Sequence, residues 1–189
     1  MKKVTVLIPC HNEEEGIGKV IKSIPVDYLK QMGLKTEIYV IDNNSTDKTV
    51  QVAKAAGANV IHERNKGKGN AMLLGFKKFP KDSDYVVMMD GDNTYKGQEM
   101  YRLLEPLING FGDVIIGSRI TGKMLDKSFK VQNRIANWAY AFFVRTFYHT
   151  NVTDVLSGYF AWKREALEDL APHITSAGFT LEMEMVTKC

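Results

Sequence analysis

Five short apolar runs limit what this chain can fold into: Val4–Ile8, Ile38–Ile41, Asn59–Ile61, Tyr85–Met89 and Val114–Ile116. Each is nearly continuous rather than alternating, which marks strands buried on both faces. Amphipathic stretches separate them and predict helices over Glu14–Ile24, Asp47–Ala56, Asn70–Phe79 and Gln98–Ile108. The first carries Ile17, Val20, Ile21 and Ile24 along one face. Ser45 or Thr46 is the expected N-cap of the second, with Gly57 as its stop. Strands alternating with helices imply a mostly parallel central sheet flanked by helices, a doubly wound α/β layer. Such sheets bind ligands beyond the carboxyl ends of their strands. The residues just after each strand therefore carry the functional reading.

A length of 189 residues suits one domain, 1–189, with a real core. With 44% hydrophobic and 25% charged residues, the composition is that of a folded globular chain. The net charge of +3 lacks the dense basic stripe of a nucleic-acid binder, so no nucleic-acid partner is expected. Cys10 and Cys189 stand at opposite ends and form neither a disulfide framework nor a zinc spacing. A reducing, cytoplasmic setting is the expectation. Pro9 ends the first apolar run after five residues, short of the roughly 7–15 of a signal peptide. No run approaches the about 18–20 apolar residues of a spanning helix.

The strongest motif is Asp90-Gly91-Asp92, directly after the fourth strand. Two residues apart on a persisting strand, both carboxylates project to one side. Gly91 leaves room for a ligand between them. Paired carboxylates suit a hard cation, Mg²⁺ or Mn²⁺, completed by substrate phosphates. A polar turn closing a strand is the plainer alternative. Asp42 to Asp47 follows the second strand and could cap a helix, or read a nucleotide base and ribose. Arg64–Ala71 sets two glycines and three basic residues, Lys68 among them, at a helix start. A helix N-terminus favours anions, although taken alone this stretch reads better as a solvated basic turn. Thr153–Tyr159 places one acid, Asp154, in a polar loop ahead of an apolar strand.

Past Arg119 the pattern changes. Thr121–Lys130 reads as a loop. Asn133–Tyr148 reads as a helix apolar nearly all round, with Trp138 and Phe142 among its aromatics. Such a helix is buried, or lies on a membrane or a partner. Between Arg119 and Arg145 six basic residues face a single acid, Asp126. That excess is either a solvated face or a surface for phosphates. The chain stops at Cys189 inside what reads as a helix, so a further C-terminal part is expected.

In order along the chain, these strings resemble family 2 glycosyltransferases, inverting enzymes of the GT-A fold. Val6–Glu14 resembles the opening strand, Asp42–Asp47 the second-strand motif, and Asp90-Gly91-Asp92 the metal-binding acids. Gly117-Ser118-Arg119, Asn133-Arg134, Asp154–Tyr159 and Phe179–Glu184 are similar to the polyprenyl-phosphate, dolichol-phosphate mannose synthase-like branch. The resemblance implies a nucleotide-sugar donor, GDP- or UDP-linked, held by Pro9, His11, Glu13 and Asp42. Asn43 stands where the family often has a second acid, and Thr94 where a further ligand, Gln, is sometimes found. Asn43 and Lys68 join the substrate-contact candidates. Asp90 and Asp92 would bracket the metal and diphosphate, with Gly91 between. Arg119 and Arg134 would grip a polyprenyl or dolichyl phosphate acceptor, with Asp154 as base or orienting acid. The implied catalytic set is Asp92, Arg119, Arg134 and Asp154. The implied setting is the cytoplasmic face of a membrane, reached through an interfacial helix at 133–149. Oligomeric state stays open. So does a different acceptor. A sugar-nucleotide nucleotidyltransferase would carry a Gly-rich loop where Pro9–Glu13 stands.

Overall fold

The computed structural model describes residues 1–118, 137, 138, 140–142, 144–146, 153–178 and 180–189. Its centre is a six-stranded sheet in the order β3-β2-β1-β4-β6-β5. The expected strands are β1 (Lys2–Cys10), β2 (Leu34–Asp42), β3 (Asn59–His62), β4 (Tyr85–Met88) and β5 (Val114–Ile116), and the apolar strand after Tyr159 is β6 (Phe160–Lys163). β1 pairs in parallel with β2 and β4, and β2 with β3. β6 runs antiparallel to both its neighbours. The mostly parallel expectation therefore holds, with one reversed strand inside the sheet.

Burial on both faces explains the continuous apolar runs. Val4, Val6, Ile8 and Cys10 of β1 face one core, shared with α1 (Ile17–Ser23), α3 (Thr49–Ala55) and α5 (Met100–Ile108). Leu7 faces the other, with Val86 and Met88 of β4, Phe160 and Trp162 of β6, and α4 (Lys68–Lys78). Trp162 stacks on Phe160 with ring centroids 5.2 Å apart and takes the Phe76 edge at 5.8 Å. Such ring pairs contribute about 0.5–1.5 kcal/mol beyond their burial.

β1 runs past its expected end at Ile8, straight through Pro9. The reason lies in the ladder. Leu7 O accepts the Met89 N–H, so odd residues of β1 point toward β4. The pairing with β4 ends at Leu7 opposite Met88. Pro9, with no N–H to give, falls where no partner strand remains. On the other side Cys10 O still accepts the Asn43 N–H at 2.8 Å.

Some helix boundaries differ from expectation. α1 begins at Ile17 rather than Glu14, because Glu13–Gly16 is drawn into a turn tied to the 47–49 loop. α3 begins at Thr49, and neither Ser45 nor Thr46 caps it. Asp47 instead accepts the Thr49 N–H and hydroxyl at 2.9 and 2.5 Å. α2 (Val26–Gln31) was not expected, since six residues burying only Leu29 carry no readable period. The loop expected over 121–130 lies outside the described residues. Of the 133–149 helix, the described residues from 137 to 146 are helical.

The order of the strands positions the site. The chain steps from β1 outward to β2 and β3, then crosses back past β1 to β4. The carboxyl ends of β1 and β4 thus flank the topological switch point, where open α/β sheets form their crevice.

Candidate active site

A cleft of about 440 Å³ opens at that switch point. Pro9, His11 and Glu13 line it from the end of β1, Asn43 from β2, and Asp90, Gly91 and Asp92 from β4. Lys66, Gly67 and Lys68 close it from the start of α4. Four widely separated motifs therefore meet in one crevice.

The loops that leave the strands are bent by asparagines. Asn12, Asn44 and Asn93 hold φ values of 56°, 62° and 64°, the left-handed region that asparagine tolerates better than most residues. Each stands one or two residues past a candidate site residue, turning the chain back at the strand end. Asn12 also ties two loops together, its Oδ1 accepting the Thr46 N–H at 2.8 Å.

The acidic loop packs down onto β1. A Cβ on Gly91 would meet Cys10 Sγ at 2.5 Å, and one on Gly16 would meet Gly91 O at 2.8 Å. Glycine at both positions lets the acidic loop pack close against β1 and the turn before α1. The Cys10 thiol beneath is pushed up, first by burial and then by the surrounding carboxylates, so it stays protonated and inert. Asp92 is exposed, and its Oδ1 accepts the Thr94 N–H at 2.9 Å. Asp90 is raised above the ordinary carboxylate range, first by burial, with Lys68 opposing and Asp92 and Glu182 adding. Glu13 is also raised, by burial and then by Asp92, Asp47 and Asp90.

Three carboxylates thus crowd one mouth of the cleft. Carboxylate oxygens are the hard donors that Mg²⁺ or Mn²⁺ takes, and such a cation would offset the repulsion that, after burial, raises Glu13. Among the described residues no group of three His, Cys, Asp or Glu closes into a cage. An open site suits a cation that shares its shell with phosphates and water.

Lys68 lines the cleft, as expected of a substrate-contact candidate, and is also paired with two acids. Its Nζ lies 2.6 Å from Asp90 Oδ1 and 2.6 Å from Glu182 Oε1. Burial alone would lower its pKa, but the two carboxylates outweigh it and the ammonium is held charged. The glycines beside it serve the protein's own backbone. A Cβ on Gly69 would strike Ser176 O and Ala177 Cα. Gly67, at φ 126°, is pressed against Ala177 O in the same way. The segment 174–178 therefore lies over the start of α4, where an anion had been one reading.

Asn43 is buried and its amide is engaged. Nδ2 donates to Asn65 O at 2.7 Å, and Oδ1 accepts the Gly67 N–H at 2.7 Å. Its backbone O meets His11 Nδ1 at 2.9 Å. Asp42 Oδ1 accepts the Ser45 N–H, and Oδ2 lies 3.0 Å from Nδ1 of His62.

On the far side of Asp90 runs the 153–159 loop. A Cβ on Gly158 would fall on the Asp90 carboxylate. Gly158 donates its N–H to the Tyr95 hydroxyl at 2.6 Å, and buried Asn137 holds Thr153 O and the N–H groups of Val155 and Leu156. Asp154 is buried and is not among the residues that line the cleft. Arg119 and Arg134 lie outside the described residues. Glu182, Tyr95 and Asn137 carry the site yet had no expected role. Glu182 did leave a signal: an acid on the same helical face as Leu181, Met185 and Val186, where a charge must find a partner.

Comparison with known proteins agrees with this geometry. Residues 5–171 match the family described as glycosyl transferase family 2. Glycosyltransferase AglJ of Haloferax volcanii is 36% identical over 98% of this chain, which spans 58% of that protein. An undecaprenyl-phosphate mannosyltransferase of Micrococcus luteus is 27% identical over 97% of this chain and 76% of its own length. Glucosyl-3-phosphoglycerate synthase from Mycobacterium tuberculosis, solved with Mn²⁺, uridine diphosphate and phosphoglyceric acid, superposes with a TM-score of 0.76 at 26% identity. That superposition covers 98% of this chain and 63% of the synthase. The sheet is that of the GT-A fold, and the chain belongs to glycosyl transferase family 2.

Proposed function

We propose that the chain transfers a monosaccharide, with inversion, from a GDP- or UDP-linked sugar to a polyprenyl or dolichyl phosphate. The observation that carries this reading is Asp90, wedged between the nucleotide-side cleft and the Gly158 loop. Donor and acceptor sides then share one carboxylate. The relatives support the two halves. The mycobacterial synthase was solved with uridine diphosphate and Mn²⁺, and the Micrococcus protein is named for an undecaprenyl-phosphate acceptor.

Pro9, His11, Glu13 and Asp42 would seat the nucleoside, and Asp90 and Asp92 would hold Mg²⁺ or Mn²⁺. When bound, that cation offsets the charge on the departing diphosphate. An acceptor phosphate oxygen forms its bond to the anomeric carbon from the opposite face as the sugar–diphosphate bond breaks, releasing the nucleoside diphosphate. The acceptor is already ionised near neutral pH, so no strong base is required. Arg119 and Arg134 would hold it in line by bidentate contacts. The burial of Asp154 favours an orienting role over that of a base.

Membrane association at the cytoplasmic face is part of the proposal. Among the described residues no helix is long and apolar enough to cross a membrane. Trp138 and Phe142 are 70% and 58% exposed and stack with centroids 6.0 Å apart. Aromatics displayed beside a basic excess suit an interfacial helix. A second reading keeps the donor and changes the acceptor. The mycobacterial synthase was solved with phosphoglyceric acid, a small phosphate-bearing molecule.

The test offers GDP- and UDP-sugars with a short-chain polyprenyl phosphate or phosphoglycerate, with Mn²⁺, Mg²⁺ or EDTA. Metal-dependent formation of a lipid-linked monosaccharide is the expected result. Transfer to phosphoglycerate alone selects the second reading, and no transfer from any donor overturns both.

A further inference from the structure

We propose that Glu182 is a positioning residue, which acts through Lys68 to keep Asp90 oriented and to stop the ammonium from competing in full with the divalent cation. The inference rests on the metal reading above. Glu182 lies outside the stretch 5–171 that matches the family, on the helix Leu181–Lys188.

Lys68 Nζ contacts Asp90 Oδ1 and Glu182 Oε1 at the same distance, 2.6 Å. Its side chain is 17% exposed and that of Glu182 is 7% exposed, so neither charge is screened freely by water. An ammonium held by Asp90 alone would neutralise that carboxylate and compete with a cation for its oxygen. Glu182 divides the ammonium between two acids and leaves the trio with one net negative charge. On the opposite side, Gly158 confines Asp90 Oδ2. Asp90 is thereby held between Lys68 and the Gly158 loop.

The segment carrying Glu182 is itself fastened to this place. Glu184 Oε2 accepts the N–H groups of Thr175 and Ser176 at 3.0 and 2.7 Å, and Gly67 and Gly69 leave room for Ser176 and Ala177. Three independent features thus dock the C-terminal helix on the start of α4, and only the Glu182 contact reaches the acidic pair. Partners behind a metal ligand typically change affinity by about 10–100-fold when removed.

The test measures Mn²⁺ binding to the whole chain in the presence of uridine or guanosine diphosphate, by electron paramagnetic resonance of free Mn²⁺. Glu182→Gln keeps the shape and removes the charge. The expected result is Mn²⁺ affinity lower by about 10–100-fold. Adding Lys68→Met to Glu182→Gln removes the competing ammonium, and affinity should recover toward that of the unmodified protein. A merely structural role would move the melting temperature and leave the Mn²⁺ affinity unmoved. Should Glu182→Gln fail to fold, Glu182→Asp keeps the charge but shortens the reach, and its affinity should fall by less. Unchanged affinity in the folded single variants, or no recovery in the double variant, overturns the proposal. An unmodified protein that binds no Mn²⁺ overturns the metal reading itself, and this inference with it.

Discussion

Gly158 sets its bare α-carbon against the carboxylate of Asp90, so closely that any side chain at 158 would occupy the acid's own position. The acid is fixed by Lys68 and the glycine by Tyr95, so neither gives way easily. Gly158→Ala should therefore displace Asp90 rather than be absorbed. Overpacking of this kind costs about 1–3 kcal/mol of stability. A misplacement near 1 Å at a reacting centre costs on the order of 100-fold in rate. Turnover by Gly158→Ala is expected to fall far more than its melting temperature. A variant of full activity would mean that Asp90 does not need this position.

The acidic pair makes a second prediction. Asp92→Asn preserves volume and the bond from the Thr94 N–H but removes one charge from the cleft mouth. A cation stabilises developing charge by several kcal/mol, and about 4 kcal/mol corresponds to roughly 1,000-fold in rate. The variant should lose transfer on that scale while unfolding at the same urea concentration as the unmodified protein. Transfer that persists in Asp92→Asn, or in EDTA, would remove the metal from the mechanism.

Asn43 supports a prediction about chemistry rather than size. Its amide donates to Asn65 O and accepts from Gly67 N, a pairing that a carboxylate cannot reproduce. Asn43→Asp would set a charged oxygen against the Asn65 carbonyl. Leaving such a group unsatisfied costs about 1–3 kcal/mol. Urea unfolding should show a lower midpoint with an unchanged slope. An unmoved midpoint would show that the 65–67 loop does not depend on this amide.

Much of this arrangement could be read from the chain before its fold was known, and the reasons for the gaps are physical. The continuous runs at Val4–Ile8 and Tyr85–Met89 point to a two-sided sheet, since nothing else buries both faces of a strand. Once the sheet is parallel, the strand ends become the site, and Asp90 and Asp92 stand out there. Lys68 could not be placed the same way. Beside two glycines at a helix start it reads as an anion contact, and only tertiary structure brings Glu182 from 114 residues away. Asn137 and Tyr95 were illegible for a related reason. Their roles are hydrogen bonds to a loop distant in sequence, and no period records them.

The strap over α4 yields a pH prediction. Partial burial works against ionising Glu184. The Lys188 ammonium, the N–H groups of Ser176 and Thr175 and the Thr175 hydroxyl outweigh it, and they lower its pKa from 4.5 to about 2. A carboxylate with a depressed folded pKa binds protons more readily in the unfolded chain. Its contribution is therefore complete above about pH 4.5 and is lost as the pH falls toward 2. Across that window the 174–178 segment should loosen from Gly67 and Gly69. Protection from amide exchange at Thr175 and Ser176, relative to the intrinsic rate at each pH, should fall before that of the central strands. Glu184→Gln should exchange faster at pH 7 and show a flatter acid dependence. Equal protection in both proteins at neutral pH would show that the strap is held by its contacts with the glycines and not by this carboxylate.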